Sequence, residues 1–79
     1  MIHAGNLATS KRLQRALAYL RAKGQRGTTG LAWCEFARIM NSGTTASELR
    51  ANGITVTCEF ERVTDDGAKV YRYRLGEEP

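Results

Sequence analysis

Residues 42–53 read Ser-Gly-Thr-Thr-Ala-Ser-Glu-Leu-Arg-Ala-Asn-Gly, and they decide how the rest of the chain is understood. Thr45 and Glu48 stand three apart, the spacing at which a threonine hydroxyl caps a helix while the glutamate reaches back to the cap. The pattern predicts a short helix starting near Thr44 or Thr45, with Ser42 as an earlier competing cap. Gly53 succeeds Asn52 where the chain has to turn through the left-handed region, which glycine does at least cost. Ala46, Leu49 and Arg50 share one side of this helix, and Thr44, Ser47, Glu48 and Ala51 share the other. Its outer face is therefore small and polar.

Beyond Gly53 the apolar period changes from 3.6 to 2. Ile54, Val56, Cys58 and Phe60 alternate with Thr55, Thr57, Glu59 and Glu61, the pattern of a half-buried strand. Asp66-Gly67 signals a two-residue hairpin turn, and residues 70–75 supply the return strand. Counting outward from that turn sets Glu61 opposite Arg72, Glu59 opposite Arg74, Phe60 opposite Tyr73 and Cys58 opposite Leu75. Each pair is complementary, worth about 0.2–1 kcal/mol apiece. The count gives Arg72 and Arg74 to ion pairing within the hairpin, and leaves Arg62 and Lys69 free beside its tip.

Working back from residue 42, Ile39-Met40-Asn41 turns the chain out of a second helix. Thr28 or Thr29 caps it, and it runs to about Arg38, with Trp33 and Phe36 as the largest apolar groups available to the core. Gly24-Gln-Arg-Gly27 is a turn. Before it, Ser10 caps a helix from Lys11 to Lys23, in which Leu13, Ala16, Leu17 and Leu20 recur at helical spacing and Gly24 supplies the stop. Residues 1–9 show no periodicity and are expected as a loose arm. Glu77, Glu78 and Pro79 are expected as a solubilising acidic tail.

Seventy-nine residues with 42% hydrophobic content make one domain with one small core, placed at residues 10–76. Cys34 and Cys58 both fall on apolar phases and are expected as reduced core thiols, a disulfide being the alternative. With one histidine, His3, and no Cys-x-x-Cys pair, ligands for zinc are lacking. No secretory signal and no run of about 20 apolar residues is present, so the expected place is the cytoplasm. An enzyme is not expected either, for want of a plausible acid–base pair, phosphate loop or metal cluster. No cofactor is implied.

Charge is divided unevenly. Residues 1–34 carry six basic side chains and no acid, residues 35–79 six basic and eight acidic, so +6 and −2 give the net +4. A basic half on a small domain favours attraction to phosphate. Lys11, Arg12, Arg15, Arg26, Arg62 and Lys69 are the candidate phosphate contacts.

Three short helices and then a hairpin is the order of a winged helix-turn-helix, an α+β fold in which a three-helix bundle is followed by a two-stranded antiparallel β-hairpin wing. Leu-Arg-Ala-Asn-Gly-Ile (residues 49–54), the alternating strand, the Asp-Gly turn and Tyr-Arg-Tyr-Arg-Leu (residues 71–75) resemble winged helix-turn-helix domains of small phage and prophage proteins. The Leu-x-x-Ala-Leu-x-x-Leu helix (residues 13–20) and Gly-Thr-Thr (residues 27–29) are similar to them as well. The resemblance covers residues 10–75. It implies a transcriptional regulator or excisionase-like factor that binds double-stranded DNA inside the bacterial host cell. No heptad pattern or spare apolar helix offers a dimer interface, so a monomer is expected. In such an arrangement the third helix enters the major groove, and the first helix and the wing touch the backbone. Thr44, Thr45 and Ser47 would then meet base edges. The absence of arginine and lysine from residues 41–48, with two acids at the hairpin tip, motivates an alternative, a phage-encoded inhibitor docking on a host protein or nucleoprotein.

Overall fold

The computed structural model describes residues 6–76. Along the chain run α1 (Lys11–Lys23), a 3-10 turn (Gly24–Arg26), β1 (Thr28–Thr29), α2 (Gly30–Ala37), α3 (Ser42–Ala51), β2 (Val56–Val63) and β3 (Lys69–Leu75). The acidic tail, His3 and most of the expected arm lie outside the described residues. Residues 6–9 are tied to the fold, ahead of the boundary expected at residue 10. Leu7 packs against the core, and its amide donates to Asn52 Oδ1 at 3.0 Å.

The α+β class stands, but a three-helix bundle followed by a two-stranded wing is not what forms. Thr28 and Thr29 make a strand between α1 and α2 that pairs antiparallel with β3, Thr28 with Tyr73 and Thr29 with Arg72. The sheet is three-stranded, in the order β1-β3-β2. Local chemistry explains the extra strand. Thr29 is the N-cap of α2, its hydroxyl accepting from the Ala32 amide, and a cap keeps extended backbone, in this case φ −71° and ψ 156°. Gly27, at φ 66°, brings the chain so close to β3 that a Cβ there would overlap the Tyr73 carbonyl.

Both expected ion pairs of the hairpin form, although its register differs. Thr64 and Gly67 close a turn by Gly67 N–H to Thr64 O at 2.9 Å, and the Thr64 amide donates to Ala68 O at 2.8 Å. Three residues therefore make the loop, Asp65, Asp66 and Gly67, the last at φ 90°. This is the common three-residue form, a turn followed by a left-handed residue. The extra loop residue slips the pairing by one, setting Arg62 opposite Val70, and an irregularity between Phe60 and Arg62 slips it by one more. Two single slips restore the side-chain faces that one would have inverted. Glu59 thus sits opposite Arg72 and Phe60 opposite Tyr71. The carboxylates reach their arginines diagonally, Glu61 to Arg72 at 2.6 Å and Glu59 to Arg74 at 2.8 Å.

The core is built from Leu13, Ala16, Leu17 and Leu20 of α1, Trp33 and Ala37 of α2, Ile39, Ala46 and Leu49 of α3, and Val56 and Tyr73 of the sheet, with Ile39 in the link between α2 and α3. Phe36, expected there, is 65% exposed and stacks on Tyr19 with centroids 6.3 Å apart. At about 100° per residue, the face of α2 holding Gly30, Trp33, Cys34 and Ala37 is centred roughly 110° from Phe36. Cys34 is half-buried, Cys58 is exposed, and neither is in a disulfide. Cys58 departs from the expected core position because no helix covers β2 beyond Val56.

Substitutions at two glycines separate crowding from backbone strain. Gly27→Ala should cost more than about 3 kcal/mol in urea unfolding, since a backbone clash adds to the left-handed φ. Gly53→Ala, at φ 85° in open space, should cost only about 1–2 kcal/mol. A second measurement concerns acid. Glu61 is held below its ordinary 4.5 chiefly by the hydrogen bond from Arg72. A depressed carboxylate contributes stability above its unfolded value and loses it as pH falls toward the folded one. Glu61→Gln should therefore flatten the loss of stability below about pH 4.5 in acid titrations monitored by circular dichroism.

Candidate functional site

α3 begins earlier than its threonines suggest. Asn41 is the cap, its Oδ1 accepting from the Thr44 amide at 3.0 Å, and Thr45 is thereby moved into the helix body. There it is 1% exposed, and its hydroxyl accepts from Arg12 Nη1 at 3.1 Å. Glu48 does not reach back to the cap, since its carboxylate lies 2.6 Å from Arg12 Nη2. Thr45 is thus excluded from the set expected to read bases, because a buried, engaged hydroxyl presents nothing outward. The other end matches expectation. Gly53 N–H donates to Arg50 O and Ile54 N–H to Leu49 O, each at 3.0 Å, the double closure of a glycine-terminated helix.

The outward side of α3 is lined by Gly43, Thr44, Ser47 and Ala51. Together with Cys58 and Tyr73 of the sheet they border an open groove of about 870 Å³. Arg50 Nε donates to Val56 O at 2.8 Å, fastening the helix to the start of β2; past that point strand and helix part. Tyr73 closes the groove on the inside. Burial pushes its phenol above 10, so it is neutral at physiological pH, and its hydroxyl meets Ser42 Oγ at 3.4 Å. Glu48, the one acid of α3, is matched by Arg12. The groove is therefore wide, and its helical side is mostly small residues with Glu48 and Arg50 among them and no unmatched negative charge.

The six expected phosphate contacts separate into two groups. Arg12 is bound to Thr45 and Glu48. Arg15 donates from Nε to Ala37 O and from Nη2 to Arg38 O, both at 3.2 Å. It thus satisfies carbonyls at the C-terminus of α2, where a cation is also favoured by the helix dipole. Those two hold helices together. Lys11, Arg26, Arg62 and Lys69 are exposed, although Arg62 lies 3.8 Å from Glu61. Lys11 begins the 13-residue α1 and Arg26 ends the 3-10 turn after it, so the two lie toward opposite ends of a helix about 20 Å long. Arg72 and Arg74 are structural as expected, each adding a bond to a carbonyl of the 3-10 turn, Arg26 O and Gln25 O, at 3.0 Å.

Cys58, Phe60 and Tyr71 lie exposed on the sheet side of the site and were not legible as site residues in the sequence. One signal was available, because a ten-residue helix spans about 15 Å and an eight-residue strand about 26 Å. Among the described residues no group of His, Cys, Asp or Glu is placed to hold a metal ion, and no helix is long and apolar enough to cross a membrane.

Arg12→Ala and Arg15→Ala should each lower unfolding free energy by about 1–2 kcal/mol, since charge-assisted bonds to partly buried groups are lost. Lys11→Ala should stay within about 0.5 kcal/mol. Urea titrations of the three variants check this.

Comparison of the chain with protein-family models, curated proteins and solved structures gave no match.

Proposed function

We propose that the protein binds double-stranded DNA, with the exposed side of α3 in the major groove and Thr44 and Ser47 toward base edges. Lys11, Arg26, Arg62 and Lys69 lie near phosphates. It acts by binding and not by catalysis, as a small phage-type regulator or excisionase-like factor in the bacterial cytoplasm. The observation that carries this reading is the outward face of α3, where Gly43, Thr44, Ser47 and Ala51 let the helix backbone approach a surface closely while Arg12 neutralises Glu48. A helix of about 10–12 Å diameter fits a groove about 12 Å wide. The acid-free first 34 residues and the resemblance of residues 10–75 to phage DNA-binding domains also support it.

A second reading, docking on a host protein or nucleoprotein, is supported by Leu31 and Met40, the latter 98% exposed. Side chains of this kind find no partner on a phosphate backbone. Capture of one stoichiometric protein partner from host lysate after nuclease treatment, with no duplex binding, would select this reading over the first.

The test is a salt titration of binding to duplex DNA by fluorescence anisotropy. Four phosphate contacts give a slope near −3.6 in log K against log salt, about a hundredfold loss between 50 and 200 mM. Lys11→Ala should lower that slope by about 1. Thr44→Ala and Ser47→Ala should each reduce discrimination between a selected site and random duplex by about 3- to 30-fold, while leaving binding to random duplex unchanged. Affinity independent of salt sinks the DNA reading.

A further inference from the structure

The sheet has two chemically distinct faces. On one, Glu59 and Glu61 are matched by Arg74 and Arg72 in an ion-paired ladder. The other face carries Val56, Cys58 and Phe60 of β2 opposite Leu75, Tyr73 and Tyr71 of β3, and by the same alternation Val63 opposite Lys69. Helices bury this second face at Val56 and Tyr73, and α2 flanks it through Leu31 and Cys34 beside Tyr71 and Lys69, while Cys58 and Phe60 of β2 stay exposed. Phe60 is 56% exposed and Tyr71 38%, their rings edge to face at 5.8 Å and 74°. Two aromatic rings are thus held in a fixed arrangement outside the core, on a surface with one lysine and no carboxylate.

This surface continues into the α3 groove. Cys58 and Tyr73 line that groove, while Tyr73, Tyr71 and Lys69 line the smaller one beside it. Whatever lies along α3 meets the Phe60–Tyr71 pair two residues further along the strands, about 7 Å away. Resting on the DNA reading above, we propose that Phe60 and Tyr71 pack against sugars and base edges of the duplex beside the segment that α3 faces. The hairpin then adds an apolar, salt-insensitive contribution to binding, distinct from the phosphate contacts of Arg62 and Lys69. Duplex DNA suits the surface because its deoxyribose rings and thymine methyl groups are apolar while its phosphates favour an acid-free, lysine-bearing face; apolar side chains at a base step are an established way to grip DNA.

The full chain, with a duplex that it selects from a random pool, provides the test. Phe60→Ala, and separately Tyr71→Ala, should weaken binding about tenfold at every salt concentration from 50 to 200 mM with the slope unchanged. Phe60→Leu should recover most of the loss, and Lys69→Ala should instead reduce the slope. Neither ring belongs to the buried cluster, so the alanine variants should lose only their ring pair, melting a few degrees below the parent and staying folded at the assay temperature. Parental affinity in both alanine variants overturns the proposal while leaving the α3 reading intact. It is also overturned if the parent sediments as a dimer that Phe60→Ala converts to monomer with DNA affinity unchanged, which assigns the face to a second copy. No duplex binding by the parent chain removes both readings together.

Discussion

Trp33 joins three parts of the molecule. Its side chain is fully buried, the indole N–H donates to Ala16 O of α1 at 3.1 Å, and the ring lies against Tyr73 of β3 at 5.2 Å. Burying an indole of roughly 200 Å² contributes on the order of 5 kcal/mol, comparable with the whole net stability of a small domain, and only if the N–H finds an acceptor. Ala16, with no side chain beyond Cβ, gives the ring access to that carbonyl. Tyr73 then passes the constraint on, through its hydroxyl, to Ser42 at the start of α3. The position of α3 against the sheet, and so the shape of the groove, is set at its first residue by this contact sequence and at its last turn by Arg50 on Val56 O.

The arginines and lysines divide by role, and their chemistry says why. Arg12, Arg15, Arg72 and Arg74 each bridge two elements, bonding carboxylates, a hydroxyl or backbone carbonyls. A planar guanidinium offers several donors at fixed angles and serves such a bridge better than an ammonium. Lys11 and Lys69 stay in solvent, and Lys23 lies over the Tyr19 ring at 5.1 Å. The cations at the N-terminus of α1, unfavourable for its own dipole, are explained by what they reach. Arg12 reaches an acid of α3, and Arg15 the C-terminal carbonyls of α2, where the dipole has the opposite sign.

What is legible in the sequence is what local chemistry decides. Ser10, the leucine spacing and Gly24 set the bounds of α1, and Gly53 sets the stop of α3. The composition of the hairpin faces is legible too, because parity survives two compensating slips even though turn counting reveals neither of them. Non-local decisions are not legible. β1 is two residues long and exists only through its partner β3. Thr45 reads as a cap because Ser/Thr-x-x-Glu spacing is the same whether the glutamate turns back to the cap or across to another helix. Hydrophobicity assigns Phe36 and Phe60 to the core, where helix phase and strand length leave them outside.

The same length argument accounts for why the candidate site exists at all. α3 covers about 15 Å of a sheet whose outer strand runs about 26 Å, leaving roughly 11 Å of the apolar face beyond the helix. The two ends of α3 decide which part stays bare: Ser42 meets Tyr73, which lies opposite Cys58, and Arg50 holds Val56 at the start of β2, so the strand beyond Cys58 has no part of α3 against it. Gly53 and the double closure at Leu49 and Arg50 turn the chain from the helix into that strand. A small polar helix face and an aromatic sheet face are thus left side by side, and it is the mismatch in length between helix and strand, rather than any one reactive side chain, that produces the site.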